Sequence, residues 1–277
     1  MDPGRLLLTL RLARPAPRGF CPACRLGVSG SAARGTRPAA DGVVVAIVLA
    51  VAAVAWAVTL LQMLGSGMTM GLGPTVSFAT SWTVMMAAMM LPSAMPMVRL
   101  HHLRAADAGS LRAQLRSGVF VSIYLLVWAL VGLGVFVLTP IAGALVPAGR
   151  RPLAIASILL LTGLYQLTPL KLACLRVCRS PVDFLLTHWY RGMPGELRLG
   201  LEHAFYCLGC CWALMALFVT AGAMGLTWAL IIAGIVFVEK VMPHGIAFGR
   251  TIGVTLIIGS IAVAARPELG HLVGIDI

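Results

Sequence analysis

Apolar residues run along this chain in blocks of about twenty, separated by short polar, basic or glycine-rich connections and without strand-like alternation. Blocks of roughly 18 or more apolar residues predict helices long enough to cross a bilayer. Seven are expected, at 43–64, 77–98, 118–139, 153–171, 204–223, 226–243 and 249–265. Apolarity on every side of these blocks, rather than on alternate residues, excludes a β-barrel. The expected fold is therefore all-α, a polytopic transmembrane helix bundle of about seven spans. Residues 1–42, rich in Arg, Pro, Gly and Ala, read as a flexible basic cytoplasmic tail, and 43–277 as a single transmembrane helical domain.

Composition strengthens this reading. With 60% hydrophobic and 11% charged residues, the chain is not a water-soluble domain. The net charge of +12 raises nucleic acid as a partner, but its placement argues otherwise. Eighteen of the 21 Lys and Arg residues fall in alternate connections on one side, leaving Arg150, Arg151 and Arg266 on the other. That asymmetry is the positive-inside signature, with the N-terminus in and the C-terminus out. No cleavable signal peptide is expected, and the setting is a bacterial cytoplasmic (inner) membrane crossed several times. No nucleotide-binding glycine loop, catalytic triad or zincin helix is present, which argues against ATP-driven pumping and hydrolysis.

Candidate chemistry lies inside the apolar blocks. WTVMMAAMMLPSAMPM (82–97) holds six methionines and two prolines. YQLTPLKLACLRVC (165–178) ends in Cys174 and Cys178, one helical turn apart, and HAFYCLGCCW (203–212) contains His203, Cys207, Cys210 and Cys211. At helical spacing His203 and the three cysteines make one stripe, while Met86 and Met90 share a side of the second span that Met85 and Met89 flank. Pro92 and Pro96 are expected to break that span and free backbone groups, which membranes tolerate only beside protein or a cavity. Pro169 is expected to do the same near the end of the fourth span. In the expected topology all these donors, with Glu239, Lys240 and His244, reach the inner half of the membrane. That side is reducing, so thiols or metal ligation are expected before disulfides. Thioether, thiolate and imidazole suit a soft or borderline metal, copper as Cu(I) first and zinc next.

The candidate metal ligands are Met86, Met89, Met90, Cys174, Cys178, His203, Cys207, Cys210, Cys211 and Glu239. Each has a plainer reading: Met as core filler, Cys as a small buried hydrophobe, Glu239 as the ion-pair partner of Lys171, Arg176 or Lys240. His101 and His102 read as solvated residues at the inner lipid interface. Cys21 and Cys24 form a lone CxxC pair without the second pair that a zinc site needs.

These motifs resemble a bacterial family described as predicted metal-binding integral membrane proteins. The matching stretches are WTVMMAAMMLPSAMPM, YQLTPLKLACLRVCRSP, YCLGCCWALMALF and VEKVMPHG, which together span most of 78–250. One departure is Gly225, where relatives are expected to carry Asn. The resemblance implies a multi-span inner-membrane protein with a metal site and no assigned reaction. The leading expectation is copper handling, as transport, delivery or insertion of Cu(I), with a membrane or soluble metallochaperone as partner. A membrane oxidoreductase using its thiols or bound metal is a second reading. A structural or assembly subunit, with Cys174, Cys178, Cys207 and Cys210 closing a zinc site, is a third.

Overall fold

The computed structural model describes residues 37–63, 73–105, 110–188, 190, 192–220 and 226–266. Among these residues every regular element is helical: α1 (Arg37–Met63), α2 (Pro74–Ala105), α3 (Ser110–Leu145), α4 (Arg151–Gln166), α5 (Pro169–Arg179), α6 (Pro181–Thr187), α7 (Gly192–Thr220), α8 (Leu226–Val241) and α9 (Gly245–Ala265). The chain divides into Met1–Arg37 and Pro38–Ile277, and the helix bundle belongs to the second unit. The pair Cys21 and Cys24, and Gly225, lie outside the described residues.

Five helices are long and apolar enough to cross a membrane, and the bent pair of α4 with α5 makes a sixth candidate. The remaining expected span, α8, has 16 residues in its described stretch, just under the ~17–25 usual for a spanning helix. Several helices also outrun the apolar blocks that predicted them. At 32 residues, α2 is ~48 Å long at ~1.5 Å per residue, well beyond a hydrocarbon core of ~30 Å. It carries RLHHLRA past the apolar block, and α7 begins at Gly192 rather than near 204. The polar first turns of α7 hold three glycines and a proline, and the i,i+4 pair Arg198–Glu202, 2.8 Å apart, supports the helix there.

Two of the three prolines expected to break a helix depart from expectation and the third meets it. Helix α2 runs unbroken through Pro92 and Pro96. Each proline removes one backbone hydrogen bond, yet Met89, Met90, Leu91, Ala94 and Met97 around them are almost wholly buried. That packing holds the helix against the loss. The break expected at Pro169 does occur, and α4 and α5 meet there at 61°. Thr168 is extended there, with φ −71° and ψ 148°, and its Oγ1 accepts the Lys171 N–H at 3.2 Å. Proline at the first helical position sacrifices no hydrogen bond, and a capped restart stabilises the bend.

Large aliphatic side chains such as Val54, Leu130, Leu138 and Leu161 are mostly exposed, a surface compatible with lipid. Inside, Trp82, Phe120, Tyr124, Trp128 and Phe218 are fully buried. The Trp82 indole donates to the Trp128 carbonyl at 2.9 Å and ties α2 to α3. Helix α7 is central, packing against α3, α4, α5 and α8, while α9 covers α4. The helix that carries Cys207, Cys210 and Cys211 thus packs against four others.

Candidate metal site

The stripe on α7 faces inward. His203, Cys207, Cys210 and Cys211 are buried, whereas Phe205 and Trp212 on the same helix are exposed. The Cys210 and Cys211 thiols donate to the Cys207 carbonyl, at 3.1 and 3.0 Å. The Cys207 sulfur points elsewhere. It shares a 3.0 Å hydrogen bond with the Tyr124 hydroxyl of α3 and receives the Lys240 ammonium of α8, also at 3.0 Å. The same ammonium donates to Ser93 Oγ of α2 at 3.4 Å. Three helices therefore meet at one sulfur atom, the ammonium links a fourth, and the one full charge among these contacts is positive. An ammonium in a low-dielectric interior favours a negative partner, which a thiolate supplies.

A second junction joins α5 to α7. The Cys178 and Cys210 sulfurs are 3.9 Å apart. Gly209 allows this approach, because a Cβ there would lie 2.8 Å from the Cys174 sulfur. The Tyr165 hydroxyl donates to the Gly209 carbonyl and binds α4 to the same turn. All five described cysteines are free thiols.

Met86, Met89 and Met90 are buried in the same apolar cluster as Cys207, Cys210 and Cys211. Ser93 follows Met89 and Met90 by one helical turn, so it lies on their side of α2. The serine–lysine–cysteine chain thus links the side of α2 that carries Met89 and Met90 to the thiol stripe of α7. His203 is ringed by Phe120, Tyr124 and Phe184, with centroids 5.6, 5.7 and 5.8 Å away. Its buried Nδ1 has no hydrogen-bond partner. A buried orphan nitrogen is costly, and it is a donor available to a ligand.

Other placements correct the expectations. Glu239 turns away from the sulfurs: Oε2 is 2.7 Å from Lys171 Nζ and Oε1 accepts from Gln166 Nε2 at 2.9 Å. Its partner is thus Lys171, not Arg176 or Lys240. Lys240 does not snorkel, being almost fully buried. His101 and His102 are not solvated either. His101 Nε2 lies 2.6 Å from Glu196 Oε2, and Ser117 Oγ is 3.3 and 3.2 Å from the Nδ1 atoms of His101 and His102. Helix α2 outruns its apolar block and carries His101 against the polar start of α7 and both histidines against Ser117 of α3. Among the described residues no three His, Cys, Asp or Glu side chains form a ready-made metal cluster. The closed four-thiolate zinc arrangement is therefore not assembled.

Sequence reasoning missed Tyr124 and Ser93. Both are lone hydroxyls in apolar blocks, and nothing in local spacing ties them to a cysteine 83 residues away or a lysine 147 residues away. Lys240 carried a signal, being ionisable in an apolar block, but its partner did not.

A helical protein with several membrane-length helices and soft donors gathered on its buried faces is of a kind suited to holding a metal ion inside a bundle. The family model described as PpoB2, copper chaperone, matches residues 79–263, and the chain belongs to this family. The match covers every candidate ligand. No curated protein and no solved structure matches the chain significantly.

Proposed function

We propose that this protein is a multi-pass bacterial inner-membrane copper chaperone, which takes up Cu(I) inside its helix bundle and passes it on. The observation that carries the reading is the meeting of sulfurs from separate helices, with Cys178 and Cys210 3.9 Å apart and Cys207 one helical turn from Cys210. Cu(I) is served by two or three soft donors, so it needs no preassembled cluster of the kind zinc requires. Cys178, Cys207 and Cys210 supply the thiolates, and Met86, Met89 and Met90 weaker thioethers that ease transfer. His203, through its orphan Nδ1, is a further donor. Cys174 and Cys211 flank the set, and Glu239 serves the scaffold rather than the metal. Family membership supports copper over zinc and over thiol redox chemistry. The positive-inside charge pattern supports the membrane orientation, with the copper site toward the cytoplasm.

The test is anaerobic Cu(I) titration of the detergent-purified protein against a chromophoric Cu(I) chelator. Binding of copper by the wild type, lost in Cys207→Ser/Cys210→Ser and weakened in Met89→Leu/Met90→Leu, is the expected result. Stoichiometric zinc in the purified protein, unmoved by those substitutions, would overturn it.

A further inference from the structure

We propose that Lys240 is a tethered cation that occupies the copper position in the metal-free protein and competes with Cu(I) for Cys207. This rests on the copper-chaperone reading of the same site. Nζ lies 3.0 Å from Cys207 Sγ and 3.4 Å from Ser93 Oγ, so the ammonium bridges α7 and α2. An ion shared by the Cys207 sulfur and α2 would enter the seam between Cys207 and Ser93 that the ammonium holds. The lysine is buried, and its neighbouring carboxylate Glu239 is already engaged by Lys171.

Electrostatics then gives the lysine a job. A sulfur in a low-dielectric bundle attracts a cation, whether a metal ion or an ammonium. Lys240 places its ammonium 3.0 Å from the Cys207 sulfur when copper is absent. Arriving Cu(I) replaces the ammonium at the sulfur, and the flexible four-carbon stem moves the head along the seam while Ser93 keeps one of its three donors occupied. On release the ammonium returns. Copper is therefore bound against a standing competitor, which limits its residence time and suits a protein that hands its cargo on. Affinity differences of this kind are expressed mainly in the off-rate.

The experiment measures transfer of Cu(I) from the loaded full-length protein to a chromophoric chelator. We compare wild type, Lys240→Leu, Lys240→Arg and Ser93→Ala, each checked for helical circular dichroism and a monodisperse peak in detergent. Lys240→Leu is expected to release copper about tenfold more slowly or slower still, Lys240→Arg at nearly the wild-type rate, and Ser93→Ala somewhat more slowly than wild type because its ammonium is less well held. Faster release or weaker binding by Lys240→Leu would show the lysine to be a counter-ion that retains the metal, and would overturn the proposal. If Lys240→Leu does not fold, Ser93→Ala decides: slower release supports the competitor role and unchanged release overturns it. A wild-type protein that binds no Cu(I) would sink the copper-site reading and this assignment together. Wild-type binding with unchanged release in Lys240→Leu would sink this assignment alone.

Discussion

Glu239 and Lys240 are consecutive residues of α8, both buried, and their side chains end in opposite company. Glu239 reaches α4 and α5, where Lys171 and Gln166 satisfy both carboxylate oxygens at 2.7 and 2.9 Å, and Arg179 binds its backbone carbonyl at 2.5 Å. Lys240 reaches α7 and α2, where its partners are a thiol and a hydroxyl. The first cluster is closed: charge meets charge, and a Cβ at Gly249 of α9 would lie only 2.9 Å from the carboxylate. The second is open, because its cation is matched only if a neighbour becomes an anion. A closed ion pair buried between helices holds a bend in place. An unmatched cation beside free thiols provides for chemistry.

Removing one partner of the closed cluster gives the largest effect. Lys171→Met leaves the Glu239 carboxylate buried and unpaired, and is expected to destabilise the protein by about 3–5 kcal/mol, read as thermal unfolding in micelles. Lys171→Met/Glu239→Gln is expected to recover much of that loss. Copper binding per folded molecule should hardly change in the double variant, and its disappearance would place Glu239 among the ligands. Next comes Gly209→Ala, whose methyl collides with Cys174. It is expected to cost about 1–3 kcal/mol and to weaken Cu(I) capture by spreading α5 from α7. Thr168→Ala removes the cap of the helix that carries Lys171 and is expected to cost about 1 kcal/mol, with copper affinity untouched. The smallest effect on stability belongs to Cys207→Ser. Its hydroxyl keeps partners in Tyr124 and Lys240, so unfolding should move by no more than about 1 kcal/mol, while Cu(I) retention falls at least about tenfold. Unfolding by Cys207→Ser together with copper loss in the Glu239 double variant would invert the comparison.

The difference between the two clusters also explains the prolines. Both α2 and the α4–α5 segment carry proline within an apolar block, but only the latter has threonine before it and a lysine two residues after it. Thr168 caps the restart, and Lys171 pins it to Glu239 of α8. Around Pro92 and Pro96 the neighbours are buried methionines and alanines, which pack well around an intact helix and offer few polar groups to a broken one. Local sequence marks where a helix can break; partners elsewhere in the chain decide whether it does.

Apolar block length was enough to determine an all-helical chain with membrane-length helices, because twenty uninterrupted apolar residues have few other ways to satisfy their backbone. Helical spacing was enough to put His203, Cys207, Cys210 and Cys211 on one stripe, since residues three and four apart share a face by geometry alone. Tertiary structure alone decided that Cys178 meets Cys210, that Lys240 meets Cys207 while Glu239 meets Lys171, and that His101 and His102 are buried against Glu196 and Ser117. Those pairings depend on the rotation and depth of whole helices. These are set by where large and small side chains interlock along the bundle, and no local spacing in the chain encodes them.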